Sequence, residues 1–217
     1  ALAVCRLQAK AGQVAGEFCG AKTLFITTNL YQPRTDFHSL ANADQLCQDE
    51  ADTASLPGSY RAWLSDSTGS PSTRLIRSSA AYILPGRLAV SASYSDLVDA
   101  SILRPINRTA SIVLVSGRAW TGTFANGTVS KHCNDWGSNS SDVRPISGIV
   151  GSTSFTNTKW MRETLFSCSN SLRLYCFEQW QAANGPVSAE SSSETGCPSV
   201  RPVAWRSTCP LYPSAAA

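Results

Sequence analysis

Eight cysteines in 217 residues constrain this chain more than any other feature. Their spacing matches no metal-ligand pattern, so the even count reads as a disulfide framework and an oxidising compartment. Eight cysteines allow on the order of a hundred pairings, and hydrophobic periodicity selects among them. From Ser39 to Ala54 the apolar positions Leu40, Ala43, Cys47, Ala51 and Ala54 recur in steps of three and four, one face of an amphipathic helix. Ser39 is its expected N-cap and Pro57-Gly58 its stop. Leu172 to Phe177 alternates as the last clear strand, with Leu172, Leu174 and Cys176 on one side and Arg173, Tyr175 and Phe177 on the other. Cys47 and Cys176 therefore both face the core and pair. Cys133 and Cys168 pair inside that bridge, and Cys5–Cys19 and Cys197–Cys209 remain as local pairs.

The rest of the chain divides around this framework. Residues 1–21 form a clipped N-terminal extension, residues 22–179 the domain, and residues 180–217 a Ser, Pro and Ala-rich tail or linker with one local disulfide. Within the domain, Leu24 to Leu30 and Tyr60 to Ser65 read as strands, and residues 66–81 as a loop. A short helix is expected near Tyr94 to Leu103. The continuous apolar run Ile112 to Val115 is the candidate for a buried central strand. From Trp120 to Ser167 the chain is long and polar, and it is expected to be ordered by Cys133–Cys168, Trp136, Ile146 and Ile149.

Charge excludes some partners. Charged residues make up 15% of the chain and the net charge is +3, with no basic stripe that could follow a nucleic-acid backbone. No apolar run is long enough for a membrane span. An uncharged polar surface suits an extracellular or cell-surface protein. Three sequons, at Asn107, Asn126 and Asn139, permit glycosylation there. Asn126-Gly127 is also a strong hairpin-turn signal.

Several stretches resemble a known scaffold. Ala41-Asn-Ala-Asp-Gln-Leu-Cys47, Leu56-Pro-Gly-Ser-Tyr-Arg-Ala-Trp-Leu64, Trp120-Thr-Gly-Thr, His132-Cys-Asn-Asp-Trp136, Ser167-Cys168 and Leu174-Tyr-Cys-Phe177 follow in the order found in endostatin, the collagen C-terminal domain. The pattern Ala62-Trp-Leu-Ser-Asp-Ser67, Trp120-Thr-Gly-Thr123, Asn126-Gly-Thr128, Cys133-Asn-Asp-Trp136 and Arg173-Leu-Tyr-Cys-Phe-Glu178 is still more similar to a bacterial surface-protein family of unknown function. Both resemblances imply an α+β, C-type-lectin-like fold over residues 22–179. They assign no activity, because fold does not carry function.

Candidate sites follow. Sugar-binding members of the C-type lectins carry Glu-Pro-Asn or Gln-Pro-Asp and Trp-Asn-Asp motifs that hold Ca²⁺ through oxygen ligands. This chain has neither, and Thr164, Leu165, Phe166 and Ser167 precede Cys168. A weaker oxygen-rich alternative is Asp135 with Asp142. Zinc needs imidazole or thiolate clusters, and only His38 and His132 are present, so no metal and no cofactor are expected. All cysteines are assigned to bridges, and His132 beside Cys133 points away from it. Asp96 and Asp99 read as surface carboxylates, so no catalytic constellation is visible. Trp160, Trp180, Trp120 and Tyr82 border polar segments. Trp120 and Trp136 read as core struts, whereas Trp160 with Lys159 and Arg162 is the candidate recognition group. The expected function is a non-enzymatic extracellular recognition or structural module in a larger surface, matrix or filament assembly. Its expected partners are other proteins, glycans or copies of itself. A glycan-binding lectin is the alternative, and a secreted hydrolase the least favoured reading.

Overall fold

The computed structural model describes residues 20–141 and 146–179. Cys5, Cys19, Cys197, Cys209, Trp180, Asp142, most of the N-terminal extension and the whole tail lie outside the described residues. The domain is mixed α+β, built on a mixed sheet and tied by two disulfides. Strands β1 (Lys22–Ile26), β3 (Tyr82–Leu84), β4 (Leu88–Ser91), β5 (Arg118–Trp120), β6 (Gly148–Ser152), β7 (Thr164–Phe166) and β8 (Arg173–Glu178) run in the order β4-β3-β1-β8-β5-β6-β7. Strand β2 (Tyr60–Ala62) also pairs with β8, so β8 is antiparallel to β1 and β2 and parallel to β5. Among the described residues, no helix is long and apolar enough to cross a membrane.

Period-two alternation on the central strands gives the sheet a core on each face. Phe25, Leu174 and Cys176 face one way, and Leu24, Ile26, Tyr175 and Phe177 face the other, because successive strand side chains alternate. The first face is covered by helix α1 (Leu40–Thr53), whose Leu40, Ala43, Cys47 and Ala51 are buried. The Ser39 hydroxyl accepts the Asn42 N–H at 3.2 Å, satisfying one of the four donors that a helix start leaves open. Cys47 meets Cys176 across this interface with Cα atoms 5.4 Å apart. The second face is covered by Leu75 at the end of the short helix α2 (Pro71–Arg74), by the short helix α3 (Tyr94–Leu97), by loops, and by a stack of aromatic rings. Trp63 is its hub, with ring centroids 4.9 Å from Trp160 and 5.0 Å from Phe177.

Several expectations change. Ile112 to Val115 is not a buried central strand: Ile112, Val113 and Leu114 are 52%, 56% and 66% exposed. The segment folds back on Asn107–Thr109 as a hairpin outside the sheet, with Thr109 N–H donating to Val113 O at 2.9 Å and Val115 N–H to Asn107 O at 2.9 Å. An apolar run carries no information about its partner, and here the nearest backbone captured it. The first strand ends at Ile26, with Leu30 exposed. The 66–81 loop contains α2, and the helix expected from Tyr94 stops at Leu97. The polar 120–167 stretch contributes β6, a 3₁₀ turn at Thr158–Trp160 and β7.

Candidate functional site

Three motifs from distant parts of the chain meet at one end of the sheet. Leu64 to Ser67 leaves β2, Trp120 to Thr123 leaves β5, and His132 to Trp136 lies in the loop between β5 and β6. Trp136 is fully buried, and its Nε1–H donates to Ser65 O at 2.8 Å. Its ring lies 5.5 Å from Phe37 and 5.8 Å from Trp120, whose own Nε1–H donates to Tyr31 O at 3.1 Å. Trp120 and Trp136 are thus core struts. Gly122 makes the junction fit: a Cβ there would sit 2.9 Å from both Ser65 O and Trp136 Cζ2, and its φ of +63° is one a side chain disfavours.

The segment Cys133-Asn134-Asp135-Trp136 has an unusual backbone. All four residues hold φ between +52° and +64°, a turn of left-handed helix closed by Trp136 N–H donating to His132 O at 2.8 Å. Residues of L chirality avoid this conformation by roughly 1–2 kcal/mol each, so the surroundings must hold it. Cys133 is bonded to the buried Cys168, with Cα atoms 5.8 Å apart. The Ser67 N–H and hydroxyl donate to the Asp135 carboxylate at 2.7 and 2.9 Å. The Asp135 N–H donates to His132 Nδ1 at 2.9 Å. The Ser67 N–H holds the Asp135 carboxyl below the usual carboxylate range against a smaller opposing effect of burial, with the Ser67 hydroxyl and His132 adding to the lowering.

This arrangement brings a serine, an aspartate and a histidine together in an order unsuited to nucleophilic catalysis. The Ser67 proton is directed at a carboxylate rather than at an imidazole, and the facing imidazole nitrogen already accepts a backbone N–H. Cys133 is in a bridge and offers no thiol. Asp96 and Asp99 accept the backbone N–H groups of Ala92 and Ser101. As a cation ligand Asp135 already spends lone pairs on Ser67, and no cluster of three or more His, Cys, Asp or Glu stands ready for a metal among the described residues. His38 is exposed on the connection into α1.

The candidate recognition group is divided by the fold. Trp160 is a correction: it is fully buried, 4.9 Å from Trp63 and 5.8 Å from Tyr175 by ring centroid. Its main chain crosses so close to β6 that a Cβ on Gly151 would lie 1.8 Å from Trp160 O, and this approach drives the indole into the second core. Tyr82 and Trp120, also read as bordering polar segments, are buried as well. Lys159 and Arg162 stay exposed. Each lies over an aromatic ring, Lys159 Nζ 4.9 Å from the Phe155 centroid and Arg162 Cζ 5.4 Å from that of Phe124, within cation–π range. Phe124 is 45% exposed and sits on the Asn126-Gly127 hairpin, its N–H donating to Thr128 O at 2.8 Å. The Thr121 hydroxyl donates to Met161 O at 2.7 Å, joining this surface to the Gly122–Trp136 junction.

The aromatic partners Phe124 and Phe155 escape a sequence reading, because nothing in their spacing places a cation over them. The ion pair of Asp44 and Arg74 escapes it too. Arg74 Nη2 meets the two Asp44 oxygens at 2.8 and 2.7 Å while Nη1 donates to Ala62 O and Leu64 O. Of the sequons, Asn126 and Asn139 are exposed. Asn107 is half-buried, and its Thr109 is buried with its hydroxyl accepting the Val113 N–H. No protein-family model and no curated protein matches this chain.

Proposed function

We propose that this chain is a non-enzymatic extracellular recognition module on a C-type-lectin-like, endostatin-like fold, acting as one part of a larger cell-surface, matrix or filament assembly. It binds protein or glycan partners through its long loop region. The observation that carries this reading is the Lys159–Phe155 and Arg162–Phe124 surface, built on a loop whose other end is held by Trp136 and the Cys133–Cys168 bridge. Cations over aromatic faces present both a charge and a flat apolar edge, the combination that anchors protein interfaces and stacks on sugar rings. A clamped loop adds little ordering cost on binding. Two disulfides support an oxidising, extracellular setting.

The test is binding of the chain to a glycan array with and without EDTA, and to a panel of extracellular proteins. Each is run for wild type and for Phe124→Ala with Arg162→Ala. EDTA-insensitive binding lost in the variant is the expected result. Binding that requires a divalent ion would replace this reading with a cation-assisted lectin. Binding unchanged in the variant would move the site elsewhere.

A further inference from the structure

The Asn107–Val115 hairpin presents Ile112, Val113 and Leu114 to solvent, each more than half exposed. Its backbone is satisfied internally: besides the two ladder bonds, Ile112 N–H donates to Thr109 O at 3.0 Å and Val113 N–H to the Thr109 hydroxyl at 3.1 Å. Ile112, a β-branched residue, sits at φ +66°, a conformation such residues rarely hold. The tip is therefore a braced apolar finger rather than a loose loop. Beside it is a groove of about 390 Å³, walled by Leu56, Ile83, Pro85, Ala110 and Ile112, with Arg87 at its rim. Arg108 reaches over the adjacent Gly86, its Nη1 3.2 Å from the position a Cβ would take. Among the described residues no carboxylate lines the groove and Arg108 has no ion pair.

We propose that this finger and groove form a second docking site, distinct from the Lys159–Arg162 surface, for a segment of a partner protein carrying aliphatic and acidic side chains. Aliphatic side chains fill the groove and pack on Val113 and Leu114, while a carboxylate meets Arg108. Charge selects this occupant. A second copy of the chain docked reciprocally would bring two arginine rims together, and like charges at an interface oppose association. A lipid surface would cover the convex tip but leave the adjacent concavity unfilled. Exposed apolar patches with polar rims mark interaction sites, and the concave neighbour gives this one a place for side chains.

Two labelled probe peptides test it by fluorescence anisotropy with the full chain. One alternates Leu or Ile with Asp or Glu, and the other has Lys in place of every acid. The acidic peptide is expected to bind and the lysine peptide is not. Val113→Ser with Leu114→Ser, and separately Arg108→Gln, should each weaken binding roughly tenfold, with added salt weakening it further. The exposure of Val113 and Leu114 lets the variants fold, which thermal melting verifies. Equal binding of the two peptides, no binding of either, or binding indifferent to both variants overturns the proposal. So does phosphatidylserine-vesicle binding, or self-association in sedimentation, that the Val113 and Leu114 substitutions abolish.

Discussion

Left-handed backbone at Cys133, Asn134, Asp135 and Trp136 costs free energy that local side chains must offset. Asp135 is the main polar clamp, and its carboxyl is depressed chiefly by the Ser67 N–H. A folded-state value below the unfolded one means its contribution is fully present above the unfolded value, about 3.9. It is lost as pH falls through the folded value. Exchange of the Trp136 indole proton, followed by NMR, should therefore quicken in that acid window. Asp135→Asn should exchange faster at neutral pH and show much less of the acid dependence. Arg74 poses the opposite case. Burial raises the Asp44 carboxyl above the usual range while Arg74 pulls it back. Arg74→Met leaves that carboxylate only the Ala62 N–H at 2.9 Å and the more distant Arg61 at 3.8 Å, and should lower stability by about 3 kcal/mol in urea titrations at neutral pH. Because the Asp44 value then rises further, the folded state takes up its proton sooner and the deficit should shrink in acid. A deficit independent of pH would show that lost packing, not the stranded charge, is the cause.

At the scale of elements, the β5–β8 connection is long but tied at separate points. The Cys133–Cys168 bridge, the Trp136 anchor, the buried Val150 and the half-buried Ile146 fasten it to the first core, whereas Ile149, expected to share that role, is buried outside it. Replacing the bridge by Cys133→Ala with Cys168→Ala should release the left-handed turn and its flanks. Amide hydrogen exchange is then expected to rise for residues 131–138, while Phe25 on β1 and Cys176 on β8 keep their protection. Simultaneous loss at both places would make the loop part of the cooperative core. The 3₁₀ turn at Thr158–Trp160 behaves differently, because its tryptophan is a core residue. Trp160→Ala should cost about 3–5 kcal/mol, whereas Lys159→Ala and Arg162→Ala should each cost less than about 1 kcal/mol. A mild effect of Trp160→Ala would return the indole to the surface role its polar neighbours suggest.

Across the molecule, one sheet separates two cores, and β8 contributes to both. Cys47–Cys176 ties helix α1 to that strand over a sequence separation of 129 residues. On the chain-entropy account, closing so long a loop stabilises by about 5 kcal/mol through the unfolded state. Cys47→Ala with Cys176→Ala should therefore lower the urea midpoint with one transition retained, and calorimetry and tryptophan fluorescence should report the same curve. Two separated transitions would mean that the two faces of the sheet fold independently.

Helix α1, the alternation of β1 and β8 and the Cys47–Cys176 bridge were readable in the sequence because each rests on local periodicity, and Cys133–Cys168 followed only as the pair nested inside that bridge. A side chain's face follows from its position in a helix or strand, and two cysteines that both face inward have few other places to go. Ile112 to Val115 and Trp160 were not readable in this way. Apolarity says that a side chain gains from burial, but not whether its neighbours leave room for it. Backbone pairing with Asn107–Thr109 kept the first outside, and the close crossing at Gly151 carried the second inside. The placement of Lys159 over Phe155 and Arg162 over Phe124, and the meeting of Ser67 with Asp135, likewise depend on contacts between segments with no shared local pattern. Periodicity determined which residues sought a core. Only the tertiary packing decided which of them reached it and which were left to meet a partner.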